Sequence, residues 1–134
     1  PEGKPYATTA NAVMSVSLDP LLVLVSLSTN GKTGMSITNC GYFGLNFLSA
    51  HQVSLGDYYG RSSSPEREIL PSTAILHSSG VTLFEDALSS MVCKVTQEVV
   101  AGDHTLFIGE VIDIENQNGE ALVFYKGGYK TLGI

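Results

Sequence analysis

The sequence predicts a mainly β protein, a closed or nearly closed antiparallel barrel with one to three short helices. Three observations carry this. About six or seven extended segments follow one another without the strand–helix–strand rhythm of a parallel sheet. Turn chemistry at Ala101-Gly102-Asp103 and at Asn118-Gly119 separates apolar runs. The composition agrees, because 14 glycines and six tyrosines with no tryptophan suit a turn-rich sheet protein.

Each element follows from its residues. KPYATTANAVMSVS, residues 4–17, is rich in Thr, Val and Ser and reads as extended chain containing a bend. Pro20 heads PLLVLVSL, a β-branched and apolar run that reads as a strand buried on both faces. After the polar turn STNGKT, the segment Gly34 to Cys40 reads as a short helix. FGLNFLS, from Phe43, is a strand, and His51 to Tyr59 a second helix with Leu55 inward. GRSSSPEREILPS, with Pro65 and Pro71, is a loop too short for a domain linker. From Ser90 the pattern alternates: Met91, Cys93, Val95 and Val99 share one face, and Lys94, Thr96 and Glu98 the other. A second strand runs from Phe107 to Glu115. Asn118-Gly119 is the strongest short hairpin signal, with ALVFYKGGY as the returning strand. The 134 residues suit one domain with a real core.

Charge and motifs narrow the function. Thirteen acidic residues against seven Lys and Arg give a net charge of −6, which argues against a nucleic-acid surface. A nucleotide cofactor stays open, because backbone N–H groups can hold its phosphates locally. Cys40 and Cys93 lack metal spacing and read as reduced thiols of a cytoplasmic protein. The longest apolar run, Leu21 to Leu27, is too short to span a bilayer. His51, His77 and His104 are scattered, so no metal site is expected. Gly31-Lys32-Thr33 resembles a phosphate loop, but the required earlier glycine is Ser26 and the motif fails. On its own, SLSTNGKT is an ordinary solvated turn. Asp103 and His104 are adjacent, and strand alternation would point them to opposite faces, so they do not read as a catalytic dyad.

Three segments in register change this reading. TTANAVMSVSLDP, FGLNFLS and AGDHTLFIGEV resemble the flavin reductase domain family, the NAD(P)H:flavin oxidoreductases that serve two-component monooxygenases. The similarity runs from about Tyr6 to Tyr129. It implies an FMN-binding split β-barrel of Greek-key topology, a homodimer, and a flavin, FMN or FAD, at the dimer edge. It implies flavin contacts at Thr9, Ala10, Asn11, Ala12 and Val13, then Ser15, Val16 and Ser17. Ser28 to Thr33 would be the phosphate turn, with Lys32 its one cation, and Arg61 a weaker phosphate or adenine-side contact. His104 would position the nicotinamide of NADH or NADPH, with Asp103 as turn former, and Tyr129 would lie near the same nucleotide. No side chain is assigned a proton-transfer role.

The family usually begins with a helix and a strand ahead of KPYATTA, so residues 1–134 read as a single domain lacking that segment. LDPL stands where the family has LDPP, which should loosen entry to the next strand. Two other readings stand beside the reductase: a flavin-binding electron-transfer protein without NAD(P)H activity, and a barrel without cofactor. Yellow colour, and its anaerobic bleaching by NADH, separate the three.

Overall fold

The computed structural model describes residues 6–10, 12–60, 67–68 and 74–133. The strands are β1 (Tyr6–Ala7), β2 (Val13–Leu18), β3 (Leu21–Ser28), β4 (Tyr42–Phe47), β5 (Arg67–Glu68), β6 (Ala74–Leu76), β7 (Thr82–Phe84), β8 (Ser89–Ala101), β9 (His104–Asn116), β10 (Val123–Tyr125) and β11 (Gly128–Lys130). Helix α1 spans Lys32–Cys40, and a 3₁₀ turn at Ala50–Gln52 leads into α2, Val53–Gly60. A five-stranded antiparallel sheet, in the order β2-β3-β9-β8-β4, dominates. Two-stranded ladders β1–β5, β6–β7 and β10–β11 surround it. The expected class stands, with more numerous strands, of which β8 and β9 run longer than read from the sequence and the peripheral ones are short. Part of the expected loop, Arg67–Glu68, pairs with Tyr6–Ala7.

One face of the sheet carries the core. Val23, Val25 and Leu27 of β3, Phe43 of β4, Cys93 of β8 and Phe107 of β9 pack with Ile37 of α1. Each large side chain so buried contributes roughly 1.5–3 kcal/mol. Leu22, Leu24 and Ser26 alternate with these and are only half-buried, so β3 is not covered on both faces as its apolar run suggested. The core side of the sheet has α1 over it, and composition alone cannot show that the other side does not. Burial pushes the Cys93 thiol up to about 12, which makes it inert as a nucleophile.

Two register shifts break the alternation read along β8. Between Val92 and Cys93 the ladder to β9 skips Ile112. Cys93 is buried in the core, and Val92, on the opposite face, is buried beside Leu83 and Phe84 of β7. The second shift falls at Thr96, where Val95 pairs with Gly109 but Gln97 with Ile108. It turns Val99 to the opposite face, correcting the expectation that Val99 shares the face of Cys93 and Val95. Glu98 now shares Phe107's face, and its Oε2 accepts from Thr38 Oγ1 of α1 at 3.3 Å.

The Asn118-Gly119 hairpin does not form. The β3–β9 ladder ends at Glu110, and beyond it β9 pairs with β8 alone, yet among the described residues no strand returns along its other edge. The chain bends instead and bridges Ala121 to Ser49. The tight hairpin lies further on, where Lys126 (φ 49°) and Gly127 (φ 76°) join β10 to β11 and split ALVFYKGGY in two.

Candidate cofactor site

The turn after β3 becomes a helix N-terminus. Gly31 N–H donates to Ser28 O at 3.1 Å, and α1 starts at Lys32, two residues before the predicted Gly34. Gly34 lets the helix close onto the turn, since a Cβ there would lie 3.2 Å from the Ser28 carbonyl oxygen. The first N–H groups of a helix have no intrahelical partner, and no side chain caps Gly31. Among the described residues, Thr33 Oγ1 is buried without a hydrogen-bond partner. Leaving such a hydroxyl unpaired costs about 1–3 kcal/mol, so the position suits an acceptor brought by a ligand. The helix dipole and the absence of acidic residues in the first turn favour an anion at this position. Lys32 Nζ rests over the Tyr6 ring, 5.4 Å from its centroid.

Strand β9 starts beside this turn. Gly102 (φ 64°) makes the two-residue link from β8, and His104 then pairs with Ser28 across the β3–β9 ladder. Thr29 N–H donates to the Asp103 carbonyl at 3.0 Å, and the Thr29 and Thr105 hydroxyls lie 3.0 Å apart. Asp103 sits in the turn and not in the strand, so alternation does not separate it from His104. Its Oδ1 lies 2.8 Å from His104 Nδ1, correcting the expectation that the pair points apart. Both are exposed, and His104, by hydrogen bond first and charge second, holds the Asp103 carboxyl below the usual carboxylate range.

The sequence profile of the flavin reductase like domain matches residues 1–133. The chain belongs to this family. An NADH-dependent flavin reductase of Rhodococcus sp. is 38% identical over 132 residues, covering 98% of this chain and 72% of the relative. The reductase component of a 4-nitrophenol 4-monooxygenase/4-nitrocatechol 2-monooxygenase from Rhodococcus opacus is 28% identical over 96% of this chain and 68% of its own length. Among solved structures, flavin reductase PheA2 in its native state superposes with a TM-score of 0.82 at 38% identity, over 95% of this chain and 80% of that one. The split-barrel fold of the family is therefore the fold of this chain.

The remaining family positions fall into distinct places. Strand β2 is an edge of the main sheet, so its outer backbone groups face away from β3. Ala12 extends it, accepting from Ser26 N–H at 3.0 Å. Val13 turns its side chain into the core, leaving only backbone for a ligand. The ladder skips Val16, so Ser15 pairs with Val23 and Ser17 with Leu22. The two serines thus lie on opposite faces, where plain alternation would put them together. Ala10 is exposed. Thr9 is fastened to α2, its Oγ1 donating to Gly56 O at 2.6 Å and its N–H to Tyr59 O at 3.1 Å. Tyr129 reaches the same helix: a Cβ on Gly56 would lie 3.2 Å from its hydroxyl. Its ring meets Phe124 edge-on at 5.2 Å, and burial, then Asp57, raises its pKa. Asn11 and Arg61 lie outside the described residues.

Topology therefore joins Ser28, Lys32, Thr33 and His104 in one group, and Thr9 with Tyr129 in another on α2. Tyr6, two residues before Thr8, connects the first group to the chain leading to the second. The contributions of Thr105, Tyr6 and Gly56, and the bond from Thr29 to the Asp103 carbonyl, were not anticipated. A separate cavity of about 330 Å³ lies between the β6–β7 hairpin and β9, lined by His77, Phe84, Val92 and Asp113 among others, and holds none of these residues. Among the described residues, no helix is long and apolar enough to cross a membrane, and no group of His, Cys, Asp and Glu could hold a metal.

Proposed function

We propose that this chain is an NAD(P)H-dependent flavin reductase, which reduces FMN or FAD and supplies it to a partner monooxygenase. The observation that carries the reading is the joining of two turns. The helix N-terminus with its unpaired Thr33 hydroxyl is hydrogen-bonded, through Thr29 and Asp103, to the turn bearing His104. The relatives' names, an NADH-dependent flavin reductase and a monooxygenase reductase component, support NADH as donor and an oxygenase as recipient.

When bound, the two cofactors supply the redox chemistry, hydride passing from nicotinamide C4 to flavin N5. The chain's own work is to bind, orient and exclude water. The first N–H groups of α1 and the Thr33 hydroxyl hold a flavin phosphate, with Lys32 a replaceable charge. The outer edge of β2, from Ala12 to Ser17, offers backbone donors and acceptors to the ring edge. His104 would position the nicotinamide against the flavin. Tyr129, of β11 and packed against α2, borders the same nucleotide. Met14, Val16, Leu18 and Leu21, large apolar side chains exposed along β2 and β3, support a homodimer that covers them. The free thiols of Cys40 and Cys93 support a cytoplasmic setting.

Two measurements test this reading. Replacing Thr33 with Val is expected to stabilise the free protein by about 1 kcal/mol, because an unpaired buried hydroxyl is removed. The same change weakens FMN but not riboflavin. Chemical denaturation and paired titrations check both, and equal losses for the two flavins would remove the phosphate from this turn. Replacing His104 with Ala should leave flavin bound but lower kcat/KM for NADH roughly five- to thirty-fold, a lost contact of about 1–2 kcal/mol. Anaerobic stopped-flow bleaching at several NADH concentrations reads the effect. Wild-type efficiency in that variant would make His104 a hairpin residue only, and a loss of many thousandfold would mean obligatory proton transfer.

A further inference from the structure

We infer that Asp103 is a positioning residue: it holds His104 as the Nδ1–H tautomer and presents Nε2 as a hydrogen-bond acceptor for the N–H of a primary carboxamide. The inference rests on the reductase reading and deepens it, since the nicotinamide ring carries such a carboxamide.

The chemistry of the pair leaves one arrangement. An ionised carboxylate only accepts hydrogen bonds, and Asp103 Oδ1 lies 2.8 Å from His104 Nδ1, so the proton of the neutral ring sits on Nδ1. The opposite nitrogen, Nε2, then offers a lone pair, and among the described residues it has no recorded partner. A ring nitrogen that accepts selects a ligand with an N–H donor, whereas the alternative tautomer would select a carbonyl. Asp103 can impose this choice because its backbone is held. The Gly102 turn fixes its approach, and its carbonyl takes the Thr29 N–H at 3.0 Å. That main-chain contact survives substitution of the side chain, so variants at 103 test the carboxylate alone. The pair is exposed, and surface ion pairs contribute little to stability, so the effect lies in orientation and not in folding.

The test reads the ring directly. Two-dimensional ¹⁵N–¹H NMR of the imidazole, at alkaline pH and without cofactor, is expected to show Nδ1–H at His104 in the wild type. Asp103→Asn keeps it, because the amide oxygen still accepts, and Asp103→Ala shifts it to Nε2–H. In parallel, inhibition constants are compared for NAD and its 3-acetylpyridine analogue, which keeps the carbonyl but lacks the N–H. The wild type and Asp103→Asn should prefer NAD roughly five- to ten-fold, the worth of one hydrogen bond, and Asp103→Ala should lose that preference. An Nε2–H ring in the wild type, or an unchanged tautomer in Asp103→Ala, overturns the proposal. So does an unchanged preference in Asp103→Ala. Failure of NADH to bleach flavin on the wild type overturns the reductase reading instead; the cofactor-free spectrum still decides the role of Asp103.

Discussion

Replacing Phe107 with Ala is expected to cost about 3–5 kcal/mol of stability, the range for deleting a fully buried aromatic ring. Phe107 is 1% exposed and sits where β9 meets β3 and α1. It pairs with Val25 on one side and Glu98 on the other. Its ring lies 3.7 Å from where a Cβ on Gly34 would stand, so it supports the first turn of α1 from below. The cavity left by alanine cannot be refilled by the aliphatic side chains around it without moving that helix. Urea unfolding followed by circular dichroism measures the loss, and a change below about 1 kcal/mol would place the core elsewhere. Because the same strand begins at His104 and the same helix begins at Lys32, flavin and NADH affinities should fall together in this variant.

Replacing Ser15 with Trp is expected to cost about 2–3 kcal/mol of flavin affinity, roughly thirty- to 150-fold in Kd. Ser15 is exposed on the edge strand β2, so a large side chain there meets solvent in the free protein and should change stability by no more than about 0.5 kcal/mol. A bound isoalloxazine along this edge would meet the indole directly. Flavin titration beside a denaturation curve separates the two effects. Unchanged affinity with a folded protein would move the ring away from β2. Ser17, on the opposite face after the skipped Val16, should tolerate the same substitution far better.

Much of the fold was legible because it is local. The apolar run from Leu21, the Gly102 turn and the amphipathic stretch around Leu55 each announce their element through period and turn chemistry. The family resemblance was equally legible, since it rests on the order of short motifs and needs no coordinates. Where the reading went astray, a neighbour intervened. Asn118-Gly119 has the chemistry of a hairpin, yet the chain after it bridges Ser49 through Ala121 instead of returning along β9. Val99 was misplaced because an extra residue in one strand of a ladder reverses every later side chain.

The sequence by itself determined the mainly β class, the turn positions, the family, and which short segments could carry a cofactor. Tertiary structure alone decided that Ser28 faces His104, that Thr29 reaches the Asp103 carbonyl, and that Thr33 is buried without a partner. These residues are separated by about seventy positions along the chain, and nothing in a local period encodes such a separation. Strand pairing converts it into contact, and the register of that pairing is set by burial of the whole β3 and β9 faces against α1.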